Sequence, residues 1–163
     1  MKIFITGGCG FIGSNFAINQ VLSEGNKVLN LDSLTYAGNQ ENLSIIEKSP
    51  NYEFVRGNIC DSKIVDKILF DFCPDYIVHF AAESHVDRSI DNPIKFVNTN
   101  VLGTSILLHS AMIYCEKIKK NDFKFLHVST DEVYGSLDKK GSFSENTPYK
   151  PNSPYSASKA GSD

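Results

Sequence analysis

Short apolar runs alternate along this chain with segments whose apolar residues recur every three or four positions. The runs predict five strands, at Lys2–Thr6, Lys27–Asp32, Tyr52–Arg56, Tyr76–Phe80 and Phe123–Ser129. Near-continuous apolar runs are typical of strands that are buried on both faces of a parallel sheet. The alternation of strands with helical segments therefore predicts an α/β fold with a doubly wound parallel sheet.

Helical periodicity fills the intervals between these strands. Helices are predicted over Phe11–Glu24, Glu41–Lys48 and Ile64–Phe72. A longer helix is predicted from Pro93 to Ile118, with an apolar stripe formed by Val97, Val101, Thr104, Leu108, Ala111, Met112 and Cys115. The polar, Gly/Ser/Pro-rich stretch Asp138–Pro154 predicts a surface loop.

Composition and charge limit the classes of partner. The chain has 163 residues, of which 41% are hydrophobic and 21% are charged, as in ordinary globular proteins. A formal net charge of −3 argues against a broad electrostatic interaction with nucleic acid or with an anionic membrane surface. The apolar run Met1–Thr6 is too short for a signal sequence or a membrane span, so the expected compartment is the cytoplasm.

The cysteine spacing predicts neither a metal site nor disulfide bonds. Cys9, Cys60, Cys73 and Cys115 include no Cys-x-x-Cys pair, which zinc sites commonly use. Disulfide bonds are rare in the cytoplasm. We therefore expect all four side chains to act as small hydrophobic groups, buried or half-buried.

A glycine-rich turn joins the first predicted strand to the first predicted helix. Thr6–Gly13 reads Thr-Gly-Gly-Cys-Gly-Phe-Ile-Gly, and Asp32 ends the second strand 19 residues after Gly13. Glycines permit positive φ and a close approach of the backbone to a pyrophosphate, and the helix N-terminus adds N–H donors. An acid at this spacing binds ribose hydroxyls and repels a 2′-phosphate. The pattern predicts a Rossmann-type site that binds NAD rather than NADP.

A tyrosine and a lysine form a second motif near the other end of the sequence. Tyr155 and Lys159 stand at positions i and i+4 of a helix whose start is predicted by Ser153–Pro154. A neighbouring ammonium group stabilises a phenolate and lowers the pKa of a tyrosine, which makes a general base. Tyr134 is the rival tyrosine, but Asp138 at its i+4 position would oppose ionisation.

Two adjacent acids, Asp131 and Glu132, follow the last predicted strand. Carboxyl groups side by side resist joint ionisation, so one can serve as an acid while the other serves as a base. The carboxyl ends of the strands in an open α/β sheet border its ligand crevice. A bare pair of this kind is more often two solvated loop acids, but within the motif Ser129–Gly135 we expect the pair to be catalytic.

Together these motifs resemble the extended short-chain dehydrogenase/reductase family, and within it the nucleotide-sugar 4,6-dehydratases. The resemblance rests on segments spread along the chain, namely Thr6–Gly13, Leu34–Asn39, Ala81–Ser89, Ser129–Gly135 and Tyr155–Lys159. The Thr-Asp-Glu triplet at 130–132 distinguishes these dehydratases from the sugar epimerases that they otherwise resemble.

The resemblance implies NAD as cofactor and a nucleotide sugar, dTDP-glucose, as the substrate that loses water. It implies that Tyr155 accepts the proton of the C4 hydroxyl during transient oxidation by NAD. Glu132 would then remove the C5 proton and Asp131 would protonate the departing C6 hydroxyl. Lys159 and Thr130 complete the implied catalytic set.

The cofactor contacts of the family carry over to matching positions. They are Gly7, Gly10, Phe11, Ile12, Gly13, Asp32, Ser33, Leu34, Thr35, Asn58, Ile59, Ala81, Ala82, Glu83, Ser84, His85, Thr99, Tyr155 and Lys159. Ser84 and Thr130 are also expected to contact the sugar. Asn58 departs from the aspartate that the family usually has at this position, so its contact with adenine would lack a charge.

Two alternatives remain open, one within the same class of enzyme and one outside it. The first is another nucleotide-sugar enzyme of the same fold, either a UDP- or CDP-sugar dehydratase or a 4-epimerase. The acid pair Asp131–Glu132 argues against an epimerase. Glu132, rather than a basic residue, argues against a dehydratase of CDP-sugars. The loop Leu34–Asn39 favours a dehydratase of dTDP-sugars over one of UDP-sugars. The second is a non-catalytic NAD-binding module.

The resemblance also carries an expectation about the extent of the chain. Residues 1–163 are expected to form an incomplete NAD-binding domain, without the C-terminal substrate domain of the family, and to turn over weakly alone. For the full-length protein the resemblance implies a homodimer.

Overall fold

The computed structural model describes residues 1–137 and 141–163. Asp138, which is expected to oppose ionisation of Tyr134, lies outside the described residues. The chain forms two compact units. The first comprises Met1–Ala81 and Ile106–Val128, and the second comprises Ala82–Ser105 and Ser129–Asp163.

A five-stranded parallel sheet forms the centre of the first unit. Its strands are β1 (Lys2–Thr6), β2 (Lys27–Asp32), β3 (Tyr52–Arg56), β4 (Tyr76–His79) and β5 (Lys124–His127). They lie in the order β3-β2-β1-β4-β5, and every neighbouring pair is parallel. This confirms the predicted doubly wound α/β fold, although β4 and β5 are shorter than predicted. The strand order reverses at β1, where such sheets bind ligands at their carboxyl edge.

Helices follow β1 and β3 as predicted. α1 (Phe11–Leu22) comes after the glycine turn, and α2 (Ser62–Phe72) begins after Asp61, whose carboxylate accepts two backbone N–H bonds of the first turn. The helix predicted over Glu41–Lys48 is wrong, because the chain forms a 3₁₀ turn over Gln40–Leu43 and further turns after it. The apolar spacing there has another cause, since Leu43 and Ile46 are buried in the core.

Two apolar clusters pack against the sheet, and alternate residues of β1 belong to different clusters. One includes Phe4, Leu29, Leu31, Ile59, Val65, Ile68, Leu69, Ile77, Leu107, Ala111 and Tyr114. The other includes Ile3, Ile5, Cys9, Ala17, Val21, Val28, Leu43, Ile46 and Val78. Because successive side chains of a strand point to opposite faces, both faces of the sheet are covered.

Short helices form much of the second unit. They are α3 (Val86–Asp91), which was not predicted, α4 (Pro93–Phe96), a π-helical turn (Val97–Gly103), a 3₁₀ turn (Asp131–Tyr134) and α6 (Pro154–Ala160). A further helix, α5 (Thr104–Ile118), begins in the second unit and ends in the first. The helical run predicted from Pro93 to Ile118 is therefore α4, the π turn and α5 in succession.

The buried stripe of this run agrees only in part with the predicted one, of which Thr104 and Ala111 are buried. Val97, Leu108 and Met112 are 47%, 43% and 52% exposed, whereas Asn100, Leu107 and Tyr114 are buried. The Tyr114 hydroxyl donates to the Pro74 carbonyl at 3.1 Å. Asn100 and Tyr114 carry polar atoms that a sequence pattern assigns to the outside, and hydrogen bonds make their burial possible.

The apolar character of the run also meets a membrane criterion. By length and composition alone, the helical run from Pro93 to Ile118 could cross a membrane. Leu107, Ala111 and Tyr114, however, pack in the first core cluster. Burial against the sheet therefore accounts for these apolar positions.

Because Leu107 is buried and Leu108 is exposed, alanine substitutions at these two neighbouring leucines should differ in their effect on stability. Leu107→Ala is expected to lower the free energy of unfolding by about 2–5 kcal/mol, because it leaves a cavity in the core. Leu108→Ala removes the same atoms from a 43% exposed position, and we expect a loss below about 1 kcal/mol. Urea denaturation followed by circular dichroism measures both. Equal losses, or a larger loss at Leu108, would contradict the observed register.

Candidate active site

At two positions of the glycine turn in the first unit, Gly7 and Gly13, the backbone leaves no room for a side chain. Gly7 has φ +74°, and a Cβ there would lie 2.5 Å from the backbone nitrogen of Ala81. A Cβ on Gly13 would lie 2.4 Å from the carbonyl oxygen of Gly7. α1 begins after Gly10, which supplies no capping side chain. The first N–H groups of α1 can therefore bind an anion, and the turn fits a pyrophosphate.

Asp32 is held at the end of β2 by two backbone donors. One carboxylate oxygen accepts from the Cys9 N–H and the other from the Leu34 N–H, both at 2.8 Å. Each oxygen has a second lone pair, so the group can still accept from ribose hydroxyls. Ser33 and Thr35, which flank Leu34, are exposed.

The remaining predicted cofactor residues of the first unit differ in exposure. Phe11 and Ile12 are 84% and 62% exposed on the turn, so their apolar side chains are accessible to a ligand. Asn58 is exposed, and its side-chain oxygen accepts from the Cys60 N–H at 2.9 Å. Ile59 is buried in the first core cluster. Ala81 is half-buried, and its predicted contact, like those of the other residues, stays a prediction.

In the second unit, a buried amide orders the loop that follows β4. The Asn100 side chain bonds both the N–H and the carbonyl of Glu83 at 2.9 Å, and donates to the Ser158 hydroxyl at 2.8 Å. Glu83 is itself buried and pairs with Lys95 at 2.8 Å. Sequence reasoning missed the role of Asn100, since a lone polar residue in a helix gives no signal. Of the predicted contacts of this loop, Ala82 is half-buried while Ser84 and His85 are exposed.

The predicted Tyr–Lys helix is present as α6. The Ser153 hydroxyl caps it by accepting from the Ser156 N–H at 3.0 Å, and Pro154 is its first residue, as predicted. Tyr155 is half-buried, with its ring edge-to-face on Phe96 at 6.4 Å between centroids. Its N–H donates to the Ser89 hydroxyl at 3.1 Å. These contacts hold the tyrosine at the start of the helix.

Lys159 is deeply buried on α6. Its side chain is 3% exposed, and burial lowers its pKa, an effect that nearby Asp163 partly opposes. Lys159 follows Tyr155 by one turn of α6, and a cation close to a phenol favours its ionised form. Thr99, in the π turn of the same unit, is half-buried.

The two adjacent acids lie in different surroundings within the second unit. The Thr130 hydroxyl accepts from the Glu132 N–H at 3.3 Å and so starts the 3₁₀ turn. In that turn Asp131 is exposed, Glu132 is half-buried and Val133 is buried. The two neighbouring carboxyl groups therefore differ in their exposure to solvent. The rival Tyr134 packs against aromatic rings.

One expectation about the cysteines is wrong. Cys73 is exposed, because it ends α2 in the left-handed conformation with φ 52° and donates its thiol to the Phe70 carbonyl. Cys9 is fully buried, and burial raises its pKa to about 12. Among the residues that the structure describes, no group of three or more His, Cys, Asp or Glu is arranged to hold a metal ion.

Known proteins provide an independent comparison. A dTDP-glucose 4,6-dehydratase of Xanthomonas campestris pv. campestris strain B100 is 52% identical over 162 residues, which cover 98% of this chain and 46% of that protein. The chain spans about half the length of the curated relatives that it matches.

Solved structures agree with this similarity. DesIV, a dTDP-glucose 4,6-dehydratase from Streptomyces venezuelae solved with NAD and TYD bound, has a TM-score of 0.88 and 48% identity over 99% of this chain and 49% of that one. A UDP-glucose 4-epimerase from Thermotoga maritima has a TM-score of 0.84 at 31% identity, over 99% of this chain and 48% of that one.

The sequence profile of one protein family covers nearly the whole chain. It is the profile of GDP-mannose 4,6 dehydratase, and it matches residues 4–163. The match agrees with the resemblance to nucleotide-sugar 4,6-dehydratases on which the motifs converge. This chain belongs to the GDP-mannose 4,6 dehydratase family.

Proposed function

We propose that this chain carries the NAD-binding and catalytic residues of a dTDP-glucose 4,6-dehydratase. The observation that carries the proposal is the acid pair Asp131–Glu132 in the same unit as the capped Tyr155–Lys159 helix. Relatives named dTDP-glucose 4,6-dehydratase, at up to 52% identity, support it. The reaction is a loss of water with no net oxidation.

The cofactor of the proposal is NAD, which supplies a reversible two-electron acceptor when bound. The N-terminus of α1, from Phe11 to Gly13, would hold its pyrophosphate, and Asp32 its adenosine ribose. Asp32 favours NAD over NADP, because a buried carboxylate repels a 2′-phosphate. The bound NAD of DesIV supports this choice.

The proposed chemistry assigns each reacting proton to one side chain. Tyr155, as the phenolate favoured by buried Lys159, accepts the C4 hydroxyl proton. The C4 hydroxyl becomes a ketone only when the C4 hydride is also taken up, by the two-electron acceptor that bound NAD would supply. The ketone acidifies C5, and Glu132 removes the C5 proton. After water has left, the hydride would return to C6 and a proton to C5, so that the cofactor would end unchanged. Asp131 protonates the C6 hydroxyl as it leaves, and Thr130 would hydrogen-bond the sugar, with Ser84 as a further contact.

Related reactions are the main alternative. A UDP-sugar dehydratase or 4-epimerase would use the same fold, and the epimerase of Thermotoga maritima is a structural neighbour. Its 31% identity is well below the 52% of the dehydratase relative, which supports the dehydratase. A non-catalytic NAD-binding fragment is the other alternative.

The proposal includes a cytoplasmic location and a homodimeric protein. Exposed apolar side chains along the helical run, such as Val97, Leu108 and Met112, are compatible with a subunit interface. The C-terminal part present in the relatives would supply the nucleotide-sugar domain. Analytical ultracentrifugation of the protein that contains this chain measures its assembly.

One assay separates the proposed reactions. The protein that contains this chain is supplied with dTDP-, UDP- and CDP-glucose, and the masses of the products are followed. We expect loss of water from dTDP-glucose. Isomerisation without a change of mass would favour the epimerase, and binding of NAD without turnover of any sugar would favour the non-catalytic fragment.

A further inference from the structure

An asparagine of β2 reaches back to the glycine turn. Asn30 is fully buried, and its side-chain oxygen accepts from the Gly8 N–H at 2.9 Å. Its amide nitrogen donates to the Tyr52 hydroxyl at 3.1 Å and lies 3.5 Å from the Cys9 sulfur. Because an amide needs acceptors for its N–H groups and donors for its oxygen, these partners define its orientation.

Asn30 acts on the turn beside Asp32. The two residues are separated by one position and therefore point to the same face of β2. Asn30 binds the Gly8 N–H and Asp32 binds the Cys9 N–H, so two successive peptide groups of the turn are tied to the neighbouring strand. The N–H groups at the start of α1 follow directly after this tied segment.

The short distance between Asn30 and the backbone of the turn explains why residue 8 is a glycine, which the dinucleotide-binding pattern alone does not explain. A Cβ on Gly8 would lie 2.4 Å from the side-chain oxygen of Asn30. The asparagine therefore requires a glycine at position 8, although the φ of Gly8 does not. Gly8 and Asn30 form one packed contact.

Tyr52 of β3 completes the arrangement. Burial raises the pKa of its hydroxyl to about 12, so the phenol is neutral at physiological pH. A neutral hydroxyl accepts the bond from Asn30 without placing a charge behind the turn. Tyr52 therefore helps to fix the amide nitrogen of Asn30, while the Gly8 N–H fixes its oxygen.

We propose that Asn30 is a positioning residue for dinucleotide binding, which holds the Gly8–Cys9 segment in its pyrophosphate-binding conformation before the ligand arrives. The inference rests on the proposed NAD site and adds a residue that contacts the turn without contacting the reacting atoms. Preorganisation of this kind increases affinity, because the turn loses less conformational freedom on binding.

The test compares ligands with and without a pyrophosphate. Asn30→Leu removes the partner of the Gly8 N–H, and we expect the dissociation constants of NAD and ADP to rise about 10-fold. Adenosine, which lacks phosphate, is expected to change by less than about twofold, since the Asp32 side is intact. Calorimetry measures NAD and ADP, and ligand-observed NMR measures adenosine.

Two further variants accompany Asn30→Leu, namely a control at another buried asparagine and a milder substitution of Asn30. Asn26 is also a buried asparagine, but it bonds the N-terminal amine and Gln20, so Asn26→Leu is expected to lower stability with no selective change in ADP affinity. Asn30→Ser serves if Asn30→Leu does not fold, and the same selective loss for ADP is expected.

The outcomes are distinct. An unchanged ADP affinity in a folded Asn30 variant, or an equal loss for ADP and adenosine, overturns the positioning role alone. If the unaltered chain binds neither NAD nor ADP, the proposed function fails and this inference fails with it. A selective loss for NAD and ADP supports the inference.

Discussion

Tyr155→Phe is expected to lower the turnover of dTDP-glucose by about 10²–10⁴-fold, the usual contribution of a general base. The change removes one oxygen. The ring contact with Phe96 and the bond from the backbone N–H to Ser89 remain, so the helix start should keep its structure. NAD affinity is expected to stay within about threefold. Product mass and calorimetry, on the protein that contains this chain, measure the two effects.

Tyr134→Phe is the matched control. Tyr134 packs against Phe143 and Tyr149, so its loss of a hydroxyl should affect turnover by less than about threefold. A large loss in Tyr134→Phe together with near-normal turnover in Tyr155→Phe would assign the base to the rival tyrosine. A common loss of NAD affinity would instead indicate a structural effect.

Glu132→Gln is expected to stop the reaction after oxidation at C4. The amide keeps the size of the side chain and the backbone N–H bond to Thr130, but it cannot accept the C5 proton. Loss of water should fall by about 10²–10⁴-fold. Reduced cofactor should then accumulate on addition of dTDP-glucose, which its absorbance reports.

The control for this variant is another Glu-to-Gln change. Glu145 is exposed in the same unit, and Glu145→Gln should leave turnover unchanged. Unimpaired loss of water in Glu132→Gln would remove Glu132 from the mechanism. Loss of both oxidation and elimination would indicate that Glu132 acts before the C5 proton is removed.

Local signals predicted much of the architecture. The bounds of β1, β2 and β3 follow from apolar runs and the glycine turn from its composition, because strand burial and turn geometry restrict residue types directly. The start of α6 was also predictable, since Ser153 and Pro154 meet the local demands of a helix N-terminus. The 3₁₀ turn over Gln40–Leu43 was not, because buried apolar residues recur there without a helix.

Some residues of the candidate site were likewise predictable from the sequence, and others were not. Asp131, Glu132 and Tyr155 were proposed as catalytic from their residue types and their positions in motifs, because ionisable side chains can transfer protons. Asn30 and Asn100 were not, because an amide is placed by partners that are distant in sequence. The ion pair of Lys95 with Glu83 was not predicted for the same reason, because the two residues are twelve positions apart.

The amino-acid sequence by itself determined the alternation of strands and helices, the glycine turn and the residue types proposed for catalysis. These depend on local backbone preference and on the chemistry of single side chains. Only the tertiary structure decided which stripe of the helical run is buried, where Asn100 and Tyr114 find partners for their polar atoms. Burying a polar group is favourable only when a partner is present, and that partner is supplied by the fold.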